Sequence, residues 1–465
     1  MVIKQKVMVK KEICCIGAGY VGGPTMAVLA LQCPDYKITV VDSNDKRIKA
    51  WNGPLDSLPI YEPGLKDIIK SVRNNNLFFS TDVTSSVERS DIIFIAVNTP
   101  TKTSGEGKGM AADLSNIKKC TELIAKVSKS NKIIVEKSTA PVGTAQEIKK
   151  VLKSFNATNK FQIVSNPEFL AEGTAINDLV NPDRVLIGGE ETNEGSRAMN
   201  IIADIYREWI PEDKIVMTNT WSSELSKLAS NSFLAQRISS INSLSALCEK
   251  TGAKIDEVAE AVGMDSRIGP KFLKASVGFG GSCFKKDILN LVYLCKYFEL
   301  SEVADYWENV LKINDFQKRR FSRKIIDTLQ DIQTNPTISI LGWAFKKNTN
   351  DSRESASIDI VKDLLIKGIN VNVFDPMVSK STILNDLKDL PDLKLKKLKI
   401  SSSVNDSLIG SYGICIITEW DEFKDIDFKK ASSKLVEPIL FIDGRNIIDL
   451  KLINSLFQNV MSIDS

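Results

Sequence analysis

The run Val277-Gly278-Phe279-Gly280-Gly281-Ser282-Cys283-Phe284-Lys285-Lys286-Asp287 sets one cysteine in a glycine-rich turn beside two lysines and a carboxylate. Three of the five residues from 278 to 282 are glycine and one is serine, so the backbone there can come close to a ligand. The thiolate is the nucleophilic form of cysteine, and the ammonium groups of Lys285 and Lys286 could depress the Cys283 pKa toward it. Such a thiol can form a covalent intermediate with a carbonyl substrate. Four residues on, Asp287 stands one turn above Cys283 if the segment turns helical; the plainer reading is a solvated carboxylate at a helix start.

What the chain lacks narrows the chemistry further. It contains no histidine, which removes Ser-His-Asp triads, Cys-His dyads and imidazole metal sites together. Acid-base work falls to Asp, Glu, Lys, Cys or ordered water. The eight cysteines, at 14, 15, 33, 120, 248, 283, 295 and 415, form no Cys-x-x-Cys pair, so we expect reduced thiols, a cytoplasmic setting and no metal. Cys14, Cys15 and Cys415 lie inside apolar runs and read as small buried hydrophobes.

Near the start stands Gly17-Ala18-Gly19-Tyr20-Val21-Gly22, a G-x-G-x-x-G between an apolar run and a helix-compatible stretch. Gly17 permits the tight turn, Gly19 admits a pyrophosphate close to the backbone, and Gly22 lets the next helix pack on the strand. The following strand ends in Asp42, whose carboxylate can accept hydrogen bonds from an adenosine ribose and would repel a 2′-phosphate. That favours NAD over NADP. Arg47 complicates the choice, since it could serve a phosphate or stack on adenine. The motif is shared with FAD sites, so by itself it does not separate flavin from nicotinamide.

These groups need elements to position them. Ile13 to Ile16, Ile38 to Val41, Ile92 to Val97, Ile133 to Val135 and Phe161 to Val164 are short apolar runs separated by amphipathic stretches, the pattern of a parallel sheet covered by helices. A second alternating region follows Pro336, with strands at Thr337 to Gly342, Val371 to Asp375, Gly413 to Thr418 and Leu440 to Asp443. Between them, Trp221 to Lys250 has no proline or glycine and recurs in apolar residues at roughly helical spacing. The expected fold is α/β, with two doubly wound Rossmann-like lobes joined by a long central helix. Ligands of open α/β sheets bind at the carboxyl ends of strands. That singles out Asn98-Thr99-Pro100, Ser138-Thr139 and the run Asn166-Pro167-Glu168-Phe169-Leu170-Ala171-Glu172-Gly173. On the long helix, Lys227 and Asn231 are i and i+4 and share a face.

Composition excludes other classes. With 43% apolar and 26% charged residues the chain is ordinarily globular, and a formal net charge of +3 gives no field pointing to nucleic acid or an anionic membrane. No apolar run approaches the roughly 18 residues of a membrane helix. Residues 1 to 11 lack the continuous apolar core of a secretory signal.

In order along the chain, GAGYVGGPT at 17 to 25, NTPTKT at 98 to 103, EKSTAPVGT at 136 to 144, SNPEFLAEGTAI at 165 to 176, KLASN at 227 to 231, KFLKASVGFGGSCFKKD at 271 to 287 and LGWAFKKNTNDSRES at 341 to 355 resemble the UDP-glucose/GDP-mannose dehydrogenase family, nearest in pattern to its animal-type members. The resemblance runs from about Glu12 to about Asn446. It implies an NAD-binding domain at 1–218, a helical dimerisation domain at 219–331 and a UDP-binding domain at 332–465. It also implies oxidation of UDP-glucose to UDP-glucuronate with two NAD⁺ reduced and one water consumed. GDP-mannose or UDP-N-acetylmannosamine is the alternative substrate, and a non-catalytic sensor the alternative class.

Carried over by resemblance, Cys283 matches the nucleophile and Lys227 and Asn231 the groups that steady oxyanions. Asp287 and Thr139 match the holders of the catalytic water, and Glu168 matches the general base of thioester hydrolysis. Nucleotide-sugar contacts match Glu168, Phe169, Leu170, Ala171, Glu172, Lys227, Asn231, Arg267, the stretch from Lys274 to Phe279 and Gly280, Phe345, Lys346 and Arg445. Cofactor contacts match Val97, Asn98, Thr99, Pro100, Thr101, Ser138, Thr139, Glu172 and Arg353, beside Tyr20 and Val21 of the fingerprint. The same resemblance implies a homodimer or homohexamer and feedback inhibition by UDP-xylose, with Ala140 standing where animal members usually carry valine.

Overall fold

The structure is a computed structural model that describes residues 11–155, 160–329, 332 and 335–465. The N-terminal extension before Lys11 lies outside the described residues. The chain divides into two compact units, Met1–Ser230 and Asn231–Ser465.

The first unit is built on an eight-stranded sheet: β1 (Glu12–Ile16), β2 (Lys37–Val41), β3 (Leu77–Ser80), β4 (Ile92–Ile95), β5 (Lys132–Glu136), β6 (Phe161–Ser165), β7 (Val185–Gly189) and β8 (Ile215–Asn219). Their order is β3-β2-β1-β4-β5-β6-β7-β8. The first six run parallel, and the continuous apolar runs are those that helices cover on both faces: Ile13, Cys14, Cys15, Ile38, Val40, Ile93 and Phe94 are all fully buried. β4, Ile92–Ile95, is two residues shorter than the apolar run Ile92 to Val97. β7 and β8 were not legible in the sequence, and β7 meets β6 antiparallel at Ser165 and Gly188. The helix Gly22–Gln32 is buried from Gly22 to Ala30, which explains its small residues. A β-carbon at Gly23 would lie 2.3 Å from the Trp51 ring, and Trp51 stacks on Phe79 and donates Nε1–H to the Ala18 carbonyl at 3.0 Å.

The second unit begins within the helix Thr220–Thr251, which spans the uninterrupted stretch noted in the sequence. It continues through helices Ile255–Gly263, Phe284–Tyr297 and Ser301–Leu329 into a six-stranded parallel sheet. The strands are β9 (Thr337–Leu341), β10 (Asn370–Phe374), β11 (Leu398–Ile400), β12 (Gly413–Ile416), β13 (Leu440–Asp443) and β14 (Asn459–Met461), in the order β11-β10-β9-β12-β13-β14. This repeats the 3-2-1-4-5-6 order of the first sheet, so two doubly wound lobes are present.

The turn after β9 nevertheless differs from the turn after β1. Asp375, just past β10, accepts from the backbone N–H groups of Trp343 (2.6 Å), Ala344, Met377 and Val378 (2.9 Å each), and from Trp420 Nε1 at 3.1 Å. Trp343 is fully buried, and a β-carbon at Gly342 would lie 2.4 Å from Thr418. These contacts hold the turn after β9 on buried protein groups.

Candidate functional site

In the first unit the fingerprint glycines separate by what surrounds them. Gly17 has φ +113°, and a β-carbon there would lie 2.4 Å from the Ala96 carbonyl oxygen; at Gly22 it would lie 2.0 Å from the Gly17 oxygen. Those two glycines are demanded by the protein itself. Around Gly19 no atom stands within 4 Å, so the close approach there is left to a ligand at the start of the helix Gly22–Gln32. Tyr20 and Val21 form the half-buried crest of the same turn.

Asp42 lies at the end of β2, where a ribose-reading carboxylate belongs. Its Oδ2 accepts from Ala18 N at 3.0 Å and its Oδ1 from Asn44 N at 2.9 Å. Arg47 donates to the same Oδ2 at 3.0 Å, so its guanidinium is engaged by Asp42. These features fit the adenosine half of NAD. The segments after β4 and β5 are stitched together: Thr99 Oγ1 donates to the Thr139 carbonyl at 2.6 Å and Ser138 Oγ to the Val97 carbonyl at 2.7 Å. Asn98 and Pro100 present carbonyls to Asn116 and Asp113, and Thr101 bridges Ala112.

Past β6 the chain turns around its own carboxylate. Glu168 Oε2 accepts from Leu170 N at 3.0 Å, while Oε1 accepts from Thr139 Oγ1 at 3.1 Å and faces Lys227 Nζ at 3.2 Å. Both side chains of that ion pair are buried, 6% and 4% exposed. The structure thus brings together three residues singled out from separate segments. Phe169 beside them carries the Arg184 guanidinium 3.7 Å from its ring centroid and Lys227 Nζ at 5.3 Å. Burial lowers the pKa of Arg184, which donates to Ser230 Oγ. Ala171 N donates to Asp178, and half-buried Glu172 leads to Gly173, whose N–H is held by buried Glu62 at 2.7 Å. Arg184 and Glu62 were missed by sequence reasoning. Glu62 stands 111 positions from Gly173, and no local pattern joins them.

A buried carboxyl pair underlies the Ser138-Thr139 segment. Among the described residues the Glu136 carboxyl meets only the neighbouring Glu224 carboxyl, and burial first, then Glu224, push its pKa well up. Glu224 accepts from Gly143 N at 2.5 Å and Ala145 N at 2.8 Å, capping the helix Thr144–Ser154. Its pKa is raised by burial against the lowering effect of those bonds.

The thiol site lies in the second unit. Gly278 has φ +125°, and Asn314 clamps the next residue, accepting from Phe279 N at 2.8 Å and donating to its carbonyl at 3.0 Å. A β-carbon at Gly280 would lie 2.5 Å from the Glu354 carbonyl oxygen, and Gly281 N donates to the Arg353 carbonyl at 2.8 Å. Cys283 comes immediately before the helix Phe284–Tyr297, with Ser282 Oγ 3.5 Å from its sulfur. A helix N-terminus stabilises a thiolate.

The segment does turn helical, and Asp287 N donates to the Cys283 carbonyl at 2.9 Å. Asp287 is fully buried and accepts from Asn231 Nδ2 at 2.6 Å and Lys286 Nζ at 2.7 Å. Of the two lysines expected to act on the thiol, Lys286 also pairs with Asp287 and Lys285 with Glu354 at 2.8 Å.

The remaining expected contacts of this unit are spread around the strand ends. Arg445 donates to the Ile417 and Phe345 carbonyls at 2.8 Å and pairs with Glu419, and Lys346 lies 5.6 Å from the Phe345 ring centroid. Arg353 pairs with Asp351 at 2.6 Å. Lys274 is exposed, and Arg267, 87% exposed, pairs with Asp265 at the surface.

Three sequence profiles match the chain in order: the UDP-glucose/GDP-mannose dehydrogenase family NAD binding domain over residues 11–210, central domain over 221–316 and UDP binding domain over 339–450. The chain belongs to the UDP-glucose/GDP-mannose dehydrogenase family. It is 54% identical to a UDP-glucose 6-dehydrogenase of Drosophila melanogaster, covering 97% of this chain and 96% of that one. It is 53% identical to UDP-glucose 6-dehydrogenase 2 of Arabidopsis thaliana over the same shares. Among solved structures, a UDP-glucose dehydrogenase from Pyrobaculum islandicum matches with TM-score 0.84 and 27% identity over 99% of both chains. The family's NAD-binding domain thus coincides with the lobe that carries the open Gly19 turn, and its UDP-binding domain with the lobe built on β9 to β14.

Proposed function

We propose that the chain oxidises UDP-glucose to UDP-glucuronate, using two NAD⁺ and one water, through a covalent intermediate on Cys283. The observation that carries this reading is the pairing of an open fingerprint turn with a thiol at a helix N-terminus, in a chain at 54% identity over 97% of its length to a protein named for this activity. Bound NAD supplies the hydride acceptor. Residues carried from the sequence supply the rest.

Oxidising a primary alcohol to an acid removes two hydrides, and the aldehyde between them can escape. The Cys283 thiolate adds to that aldehyde as a thiohemiacetal, whose remaining hydride is transferable and whose oxidation leaves a thioester. Lys227 and Asn231 donate to the oxyanion of each tetrahedral stage. Glu168, aimed by Thr139 and Leu170, takes the proton of the hydrolytic water, and Asp287 and Thr139 hold that water.

The division into domains at 1–218, 219–331 and 332–465 belongs to the same reading, as does a cytoplasmic homo-oligomer. Exposed Phe233, Leu244 and Leu247 on the long helix, with Tyr306 and Phe316 opposite them in sequence, support an assembly through that region. None of the eight cysteines is in a disulfide, and no helix among the described residues is long and apolar enough to cross a membrane. UDP-xylose is the feedback ligand we assign by family resemblance. The test is to incubate the chain with NAD⁺ and each of UDP-glucose, GDP-mannose and UDP-N-acetylmannosamine and follow NADH. Two NADH per UDP-glucose is the expected result; two per another sugar reassigns the substrate, and none with any overturns the enzymatic reading.

A further inference from the structure

Lys137 follows β5 directly and is 4% exposed. Its Nζ donates to Asn166 Oδ1 at 3.0 Å and to the Tyr206 hydroxyl at 3.2 Å, and lies 5.7 Å from the Tyr206 ring centroid. The Tyr206 hydroxyl donates to that same Asn166 oxygen at 2.6 Å, and Asn166 Nδ2 donates to the Leu186 carbonyl at 2.8 Å. Every oxygen this ammonium meets among the described residues is therefore neutral. The next residue back, Glu136, points to the other face of the strand and neighbours Glu224 instead.

Burying an ammonium without a carboxylate is costly, and an apolar side chain of similar length would avoid the cost. The charge is also well placed to act at a distance. Lys137 N donates to the Ile95 carbonyl at 3.0 Å, which ties it to the end of β4, the strand beside β1. In a sheet of this order a dinucleotide lies across the strand ends, its second mononucleotide half over β4, β5 and β6. Lys137 sits at the end of the middle one of those three.

Accepting a hydride turns the cationic nicotinamide ring into a neutral one, so a fixed positive charge beneath that half disfavours the oxidised form relative to the reduced one. We propose that Lys137 is kept buried and without a carboxylate in order to bias this site toward the reduced cofactor, drawing hydride from the sugar. The inference rests on the NAD reading above. For charges about 10 Å apart at an effective dielectric constant of about 20, the bias amounts to about tenfold in an equilibrium constant. The price is paid in stability and recovered in cofactor preference, a trade that separates this role from simple anchoring of Asn166.

The test uses the full chain without sugar, titrated with NADH by fluorescence and with NAD⁺ by calorimetry, as wild type, Lys137→Met and Lys137→Arg. Lys137→Met should lower the ratio Kd(NAD⁺)/Kd(NADH) about tenfold, with a thermal midpoint no lower than wild type, while Lys137→Arg keeps the ratio. Lys137→Gln removes the same charge should methionine not be accommodated. An unchanged ratio in a folded neutral variant overturns the proposal. So does an equal loss of both affinities with a fallen midpoint, or failure of both neutral variants to fold. A wild type that binds neither cofactor overturns the NAD reading itself, a result distinct from an unchanged ratio.

Discussion

Glu168→Gln tests the buried ion pair and the hydrolytic base in one variant. The carboxylate and Lys227 Nζ are 3.2 Å apart with side chains 6% and 4% exposed. At an effective dielectric constant of about 20 that separation corresponds to about 5 kcal/mol of attraction. Glutamine keeps an acceptor for Thr139 Oγ1 and Leu170 N but removes the charge facing Lys227, and breaking one half of a buried pair typically costs about 3–5 kcal/mol. At roughly 2–4 °C per kcal/mol for a unit of this size, the melting midpoint should fall by about 6–20 °C. Adding Lys227→Met should recover most of that loss, since no uncompensated charge then remains. In rapid mixing with NAD⁺ and UDP-glucose, Glu168→Gln should release up to two NADH per site in a burst. Steady turnover should then be slower by about 10²–10⁴, with a sugar adduct visible by intact mass. A midpoint within about 2 °C of wild type, or a double variant less stable than the single one, would refute the energetic argument. Wild-type steady turnover would refute the base assignment.

Other perturbations separate the remaining roles. Cys283→Ala should abolish glucuronate formation with no covalent adduct, and Cys283→Ser should block steady acid production; normal turnover in the alanine variant removes the thioester scheme. Asp42→Ala should raise the KM for NAD by roughly tenfold and, by releasing Arg47, relax discrimination against NADP, so an unchanged NAD/NADP ratio in steady-state kinetics counts against the ribose contact. Glu136 carries a raised pKa, so above pH about 4.5 the folded state binds more protons than the unfolded one and wild-type stability declines as pH rises toward the folded value. Glu136→Gln does not titrate, so its gain in melting midpoint over wild type should grow from pH 5 to pH 8; parallel curves would refute the linkage.

What the sequence reveals depends on whether an interaction is local. The run through Cys14 and Cys15 reads as a strand because a parallel strand covered on both faces must be apolar throughout. The fingerprint reads as a turn because its three glycines act within six residues. The end of β8 escapes the same logic: Val216 and Met217 are exposed at the sheet edge, and the apolar signal there no longer marks burial. Charge pairing is harder still. Lys285 stands beside Cys283 in sequence, yet its partner Glu354 lies 69 positions away, so the neighbour in the chain is not the neighbour in space. Asn314, which holds Phe279 from 35 positions off, sits within an otherwise ordinary helix and has no spacing that would announce it.

The knot around Asp375 binds the turn after β9 into one unit. A carboxylate saturated by five donors, an indole driven fully inside and a glycine pressed on Thr418 depend on one another, so relaxing any one of them strands the others. A substitution at Gly342 or Asp375 therefore disturbs Trp343 and Trp420 as well, so the turn after β9 tolerates change only as a unit.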